Sequence, residues 1–384
     1  MGEIAALLDR AVAAQAAPFL VAQTVSAEAT LHCHAAGVAR PGVAAADDTV
    51  LRIFSQTKAI GALAAMILIE RGKFGFDTPV GEILPAFDDL PVLEGFDGET
   101  PRLRKQRTVC TVAHLASHTS GLAYEYWNAD TKRWMEITGH PTVFSGKLSA
   151  LNYALVSDPG TQWHYGPGVD WLGRVVEAAD GRRIDDFCRQ EIFEPLAMGS
   201  TAFELDEKLH GRLADAVSRD GAGFRPSRSG PAPQPEFYGM GHALYSTTHD
   251  YGRFLRMVLR GGELDGNRIL KPESVASLLA ARSGGIAVSP LRSIAPRVSR
   301  DHDPFPGLAL SHSFAWCRLD EDAPGRRRAG SQFWAGALNT HSWLDPQTGI
   351  AGLFMTQLAP FADETLMAAY EAYERAVYGG LGRD

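Results

Sequence analysis

Eleven consecutive apolar residues, Ala59 to Ile69, follow directly on the tetrapeptide Ser55-Gln56-Thr57-Lys58. A helix that is apolar on every side cannot lie on a surface, so a chain that carries one must wrap its other elements around it. The run ends at Glu70-Arg71-Gly72, where a glycine can cap the helix. The tetrapeptide therefore stands at the buried start of a central helix. Residues three apart share a helix face, so the Ser55 hydroxyl and the Lys58 amine can share a hydrogen bond. Burial strips an ammonium of its hydration and favours the neutral amine, which can take a proton from a serine or from a partner phenol. The helix N-terminus favours negative charge developing nearby. Ser-x-x-Lys is by itself a common pair on solvated helices, but no other lysine in this chain has a serine three residues before it.

With 384 residues the chain can form one large domain or two, with ample core for a pocket. Hydrophobic residues make up 45% and charged residues 21%, the balance of an ordinary globular protein. A net charge of −8 argues against a nucleic-acid partner. The basic runs Arg102-Leu103-Arg104-Lys105-Gln106-Arg107 and Arg326-Arg327-Arg328 read as solvated loops. Acids near the N-terminus, where a secretory signal needs a basic start, lead to the expectation of a cytoplasmic protein. The longest apolar stretch is too short for a membrane span of about 20 residues. Cys33, Cys110, Cys188 and Cys317 are widely spaced, as for reduced and mostly buried thiols.

After an N-terminal amphipathic helix, Phe19–Val25 and Ala29–Ala35 read as a hairpin. Strand texture returns at Thr340–Leu344 and Ile350–Thr356, and a last helix runs from about Glu364 to Tyr378. Between Pro79 and Gly239 helical segments alternate with Pro- and Gly-rich loops and few strands, which suggests an inserted lobe. The expected fold class is α+β: an antiparallel sheet built from both chain ends (residues 1–78 and 240–384), flanked by helices, with a mainly helical insertion over 79–239. The segment Gly221–Pro233 is the best linker candidate.

A serine nucleophile needs a base and an oxyanion hole, and glycine-punctuated loops are where to look for them. One is Asp158-Pro159-Gly160-Thr161-Gln162-Trp163-His164-Tyr165-Gly166-Pro167-Gly168, which can hold Tyr165 rigidly before a helix. Another is Gly330-Ser331-Gln332-Phe333-Trp334-Ala335-Gly336-Ala337, whose small residues let a strand approach a substrate. Together with Leu115-Ala116-Ser117-His118-Thr119-Ser120-Gly121-Leu122 and Gly239-Met240-Gly241 leading to Tyr245-Ser246-Thr247, this ordered set resembles the serine β-lactamase and penicillin-binding-protein superfamily. The resemblance covers about residues 19–357 and is nearest to its class C-like, family VIII-type carboxylesterases. It implies a β-lactamase/DD-peptidase-like fold, with attack by Ser55, proton transfer tuned by Lys58, and Tyr165 as base. It also implies an oxyanion hole from the backbone N–H groups of Ser55 and Ala337, with Trp334, Gly336 and Tyr126 at the substrate. A phenol is a poor base at its ordinary pKa of about 10, and an ammonium beside it favours the phenolate.

Two departures from the family pattern point to substrate. Where lactamases carry Lys-Thr-Gly this chain has Trp334-Ala335-Gly336, so a β-lactam carboxylate loses its ammonium anchor. Where the family has an amide two residues after the tyrosine this chain has Pro167, with neither a side-chain amide nor an N–H to offer. The expected activity is a cofactor-free serine carboxylesterase acting on small-molecule esters of small neutral acids through an acyl-Ser55 intermediate. An acyltransferase, an amidase or a weak β-lactamase would keep the intermediate and change the acceptor or the bond cleaved. A catalytically silent binding protein would have lost Ser55, Lys58 or Tyr165, and all three are present.

Other features have plainer readings. His32 and His34 share a strand face with no third ligand nearby, so a structural role is expected rather than a metal. His114 and His118 lack the Glu of His-Glu-x-x-His, and His118 is expected to brace the loop after it. Tyr124, Tyr126 and Trp127 either wall an acyl pocket or pack the helical lobe. The absence of Gly-x-Ser-x-Gly speaks against an α/β-hydrolase elbow.

Overall fold

Alternation along Phe19–Val25 sends Phe19, Val21 and Val25 to one core and Leu20 and Ala22 to another, so this strand is buried on both faces. The computed structural model describes residues 2–227 and 234–381. Strands β1 (Phe19–Ser26), β2 (Thr30–Arg40) and β3 (Val43–Ala44) come from the start of the chain. They join β4 (Leu310–His312), β5 (Cys317–Leu319), β6 (Gln332–Gly336), β7 (Thr340–Asp345) and β8 (Ile350–Met355) from its far end. The eight strands run in the order β4-β5-β6-β7-β8-β1-β2-β3, each antiparallel to its neighbours. Val21 lies opposite Met355, so the two ends of the chain meet inside one sheet, as the α+β reading expects.

Helices cover both faces. On one side α1 (Gly2–Ala13) and α5 (Glu364–Gly380) bury Leu8, Leu366, Tyr370 and Tyr373 against Leu20, Trp343 and Phe354. On the other side lie α2 (Thr57–Glu70), α3 (Gly168–Asp180) and α4 (Thr248–Leu259). Every residue of α2 from Thr57 to Leu68 is buried, so the apolar run is the centre of the molecule. Helix α2 approaches α3 closely because Gly61 faces Val169 and Met240, while Gly173 faces Met240 from the other helix. A Cβ at Gly173 would come within 2.7 Å of Met240 Cγ. Met240 is thus held between two glycines, one on each helix.

The structure corrects several expectations. Residues 79–239 hold helices but also two β-hairpins, Val92–Asp97 with Thr100–Arg104 and Val217–Asp220 with Gly223–Pro226. The basic run at 102–107 therefore begins in a strand, and Arg104 donates through both Nη1 and Nη2 to Asp158 at 2.8 Å. The first part of the linker candidate is the turn and second strand of a hairpin, with Gly221 at φ 55°, whereas residues 228–233 lie outside the described residues. Arg327 is not solvated: it is 1% exposed and donates from Nε to Glu374 Oε1 at 2.8 Å. Glu374 itself is fully enclosed, and Arg326 Nη2 reaches its Oε2 at 2.6 Å. His34 bonds Asp9 at 2.8 Å and so ties β2 to α1, while His114 completes a capping box with Thr111.

Some polar groups in this core carry no charge. Burial pushes the imidazoles of His302 and His312 down to about 4. Each is neutral in the folded and the unfolded chain above pH 7, and as the pH falls below about 6.5 only the unfolded chain takes up its proton. Stability in urea should therefore be level above pH 7 and fall between about pH 6.5 and 4, by up to ~3 kcal/mol for each imidazole. A His302→Phe variant should show a shallower fall, and an unchanged slope would contradict this. For the buried ion cluster, Glu374→Leu leaves two guanidinium groups uncompensated and should cost about 3–5 kcal/mol in denaturant titrations. The double variant Arg327→Met with Glu374→Leu should recover part of that loss, since it leaves one guanidinium unpaired instead of two, and that one, Arg326, is the less enclosed.

Candidate active site

Ser55 lies in the 3₁₀ turn Phe54–Gln56 that leads into α2. Phe54 has φ 44°, a left-handed conformation that a bulky residue adopts only when its surroundings impose it. Gln56 helps impose it. Its fully buried amide donates from Nε2 to the carbonyls of Trp334 at 3.0 Å and Thr340 at 2.8 Å. Its Oε1 accepts from the Tyr251 hydroxyl at 3.0 Å and from Ser342 at 2.8 Å, so all four hydrogen-bonding positions of the amide are used. Gly336 lets β6 close on the same turn, because a Cβ there would run into the carbonyl of Ile53. These contacts seat Ser55 beside Trp334, Gly336 and Ala337, which line one cavity with it.

Lys58, one turn on and 3% exposed, spends all three of its N–H groups. Nζ donates to Ser55 Oγ at 3.1 Å, to the Tyr124 hydroxyl at 3.2 Å and to the carbonyl of Gly241 at 2.9 Å. Gly241 is held in turn by its N–H, which donates to Asp170 Oδ1 at 2.8 Å, and it has no room for a side chain against that carboxylate. The Tyr165 hydroxyl donates to Ser55 Oγ at 2.6 Å and accepts from the indole N–H of Trp334 at 3.3 Å. The structure thus brings Ser55, Lys58 and Tyr165 together. Lys58 lies beside Tyr165, with Nζ 4.9 Å from the centre of that ring, while its phenol hydrogen bond goes to Tyr124.

The loop carrying Tyr165 is fixed from both sides. Tyr124 N donates to the Tyr165 carbonyl at 3.0 Å, and His164 N donates to the His118 carbonyl at 2.9 Å. A side chain at Gly168 would meet the Leu115 carbonyl at 2.5 Å, so the loop lies flat on its neighbour. His118 sits at φ 59° with its ring edge-on to Tyr165 at 5.0 Å and stacked on Trp334 at 6.1 Å. Burial, and the nearby His312 and Lys58, hold its pKa well below the usual imidazole range, so it packs as a neutral ring. Burial likewise pushes Tyr124 and Tyr126 well above the ordinary phenol range. Both remain neutral phenols.

Ser55 opens into a cavity of about 680 Å³. Tyr124, Tyr126 and Trp127 all line it, which settles their place as wall rather than packing alone. The Tyr126 hydroxyl is buried without a hydrogen-bond partner. The sequence reading missed the bond from Tyr124 to Lys58 and the clamp made by Gln56. Tyr124 had a signal in its place three residues after Gly121, but Gln56 occupies an unspecified position of its motif and had none. Pro167 caps α3 and does not line the cavity.

Comparison with known proteins agrees with this geometry. The chain is 30% identical over 352 residues to monacolin J acid methylbutanoyltransferase of Aspergillus terreus, across 86% of this chain and 82% of that protein. It is 29% identical over 337 residues to lovastatin esterase of Penicillium rubens, across 84% and 82%. Simvastatin synthase (LovD) of Aspergillus terreus superposes with a TM-score of 0.85 at 25% identity, covering 100% of this chain and 99% of that one. EstCE1, a hydrolase with promiscuous acyltransferase activity, shares the fold with a TM-score of 0.80 at 20% identity, covering 99% and 98%. With the Beta-lactamase family model matching residues 4–376, the chain belongs to the Beta-lactamase family, as a serine enzyme of the hydrolase and acyl-transfer branch.

Proposed function

We propose that this protein hydrolyses carboxylic esters of acids that carry no charge beside Trp334, through an acyl-Ser55 intermediate. The observation that carries the proposal is the pair of contacts on one oxygen: Ser55 Oγ lies 2.6 Å from the Tyr165 hydroxyl and 3.1 Å from Lys58 Nζ. With the Tyr165 oxygen ionised, the serine O–H donates to it. The proton passes to Tyr165 as Oγ attacks the ester carbonyl, and Tyr165 returns it to the departing alkoxide. A water then repeats the sequence on the acyl-enzyme and frees the acid. Lys58 Nζ lies 4.9 Å from the centre of the Tyr165 ring and the Trp334 N–H bonds its oxygen, so a cation and a donor stand at the group that carries the proton. The oxyanion falls to the backbone N–H groups of Ser55 and Ala337.

Transfer of the acyl group to a second alcohol is the other reading, and two observations favour it. Relatives include a methylbutanoyltransferase as well as an esterase, and the cavity beside Ser55 is walled by Tyr126, Trp127 and Phe144, which leaves room for a bulky acceptor in place of water. The two readings share every step up to the acyl-enzyme. Supplying p-nitrophenyl butyrate with and without a hydrophobic alcohol, and weighing free acid against new ester, separates them.

A fluorophosphonate probe should add to Ser55 by peptide mass spectrometry. Ser55→Ala should lose ester cleavage by at least about 10³-fold, and full activity in that variant would end the proposal. Trp334→Phe keeps the apolar wall and removes the N–H at Tyr165. It should lower kcat by about tenfold to a hundredfold on short p-nitrophenyl esters with KM little changed, the worth of one hydrogen bond to the oxygen that exchanges the proton.

A further inference from the structure

The cavity that opens at Ser55 does not end there. It continues past Ala337 and Leu338 to a second wall behind β6, where Phe305, Phe333, Met367 and Tyr370 face Arg326 and Arg327. This far wall is apolar except for its charged groups, and the hydrogen-bonding positions of the two arginines are not all filled. Among the described residues, Glu374 is the one carboxylate that accepts from both arginines: from Arg327 Nε at 2.8 Å and Nη2 at 3.1 Å, and from Arg326 Nη2 at 2.6 Å. Arg327 Nη2 also bonds the Tyr370 hydroxyl at 2.6 Å. Arg327 Nη1 and Arg326 Nε are buried without a hydrogen-bond partner. Asp303 lies on the same cavity wall and makes no ion pair with either arginine, and burial keeps the neighbouring His302 and His341 neutral.

Two guanidinium N–H groups are therefore short of an acceptor among aromatic rings, a lack that is costly for a buried donor. Water would relieve it poorly between Phe305 and Phe333, whose ring centres lie 5.0 and 4.9 Å from the Arg327 guanidinium carbon. An anionic oxygen would relieve it well. The guanidinium fork matches the planar geometry of a carboxylate, and such bonds are among the stronger hydrogen bonds proteins make. We propose that this end of the cavity is a binding site for the carboxylate of an apolar acid, held by Arg327 Nη1 with Arg326 beside it and its hydrocarbon part lying toward Ser55. The carboxylate belongs either to a free alkanoic acid or to the far end of a dicarboxylic half-ester whose ester bond reaches Ser55. The anion anchor missing at Trp334 would then be supplied from the opposite side of β6.

Isothermal titration calorimetry at pH 8 tests the site without any turnover, so its outcome is separate from that of the acyl-enzyme proposal. The wild-type protein should bind decanoate about tenfold or more tighter than decan-1-ol. Arg327→Lys keeps a cation for Glu374 but lacks the guanidinium fork that presents Nη1, and should abolish the preference while its circular dichroism stays native. Arg326→Gln, at a less enclosed position, should weaken it and serves if Arg327→Lys fails to fold. Equal binding of decanoate and decan-1-ol by the wild type overturns the proposal, as does a preference that survives both substitutions. The source follows from a second pair of ligands. A kcat/KM for p-nitrophenyl hemisuberate above that for p-nitrophenyl octanoate, lost in Arg327→Lys, assigns the carboxylate to the substrate. Equal values, with decanoate bound as above, assign the site to a free acid.

Discussion

Everything at this site depends on one uncharged group, the side-chain amide of Gln56. A serine on a tight turn has no reason to hold its place, since the turn has few contacts of its own and Phe54 pays for its left-handed backbone. Gln56 fastens that turn to β6 and β7 through three hydrogen bonds and to Tyr251 of α4 through a fourth, two given and two taken, at a fully buried position. A buried amide with all its valences met is stable, whereas the same amide with one partner displaced would be a liability. The turn, the strand that bears Trp334 and the hairpin after it are therefore positioned as one body. Asn339, at φ 60° in that hairpin, extends the same logic by donating to the carbonyls of Leu358 and Pro360.

Lys58 is the second fixed point, and it works because its surroundings are so plain. Helix α2 brings no other charge near it, and its acceptors are a serine, a phenol and a backbone carbonyl. Its electrostatic effect on the serine and on the ring of Tyr165 is thus not shared with a carboxylate. Asp170 does lie close, but it acts through the backbone of Gly241 rather than on the amine. Trp334 adds a neutral donor at the phenol where lactamases place a lysine. A site with one cation instead of two has less pull on an anionic substrate group at that point, which agrees with esters of neutral acids there.

What could be seen in the sequence was whatever is local or ordered along the chain. The Ser55 to Lys58 spacing, the glycine-framed Tyr165 loop and the strand of Trp334 each announce themselves within a few residues, and their order identifies the fold. What stayed hidden depends on partners far away. Arg327 sits in a run of three arginines that looks solvated, and only Glu374, 47 residues later on α5, makes it a core residue. Tyr124 is one aromatic among several, and nothing near it in sequence says that a lysine 66 positions earlier will bond it. The hairpin at 217–226 was masked by its glycines, which read as a linker until Leu358 supplied a neighbouring strand.

The sheet order has a consequence for how the protein comes into being. Ser55, Lys58 and Tyr165 are all synthesised within the first half of the chain, but the strands that grip the serine turn lie at 332–345, and the strand that fills the gap between these and β1 follows at 350–355. A ribosome that has made three hundred residues has therefore released a serine, a lysine and a phenol with nothing to align them, and with the inner edge of β1 still unpaired. Such long-range pairing is slow to form and leaves sticky intermediates. The nascent chain carries its reactive groups early and becomes able to use them only at the end, so a product truncated before residue 332 would be a folding hazard before it could ever be a partial enzyme.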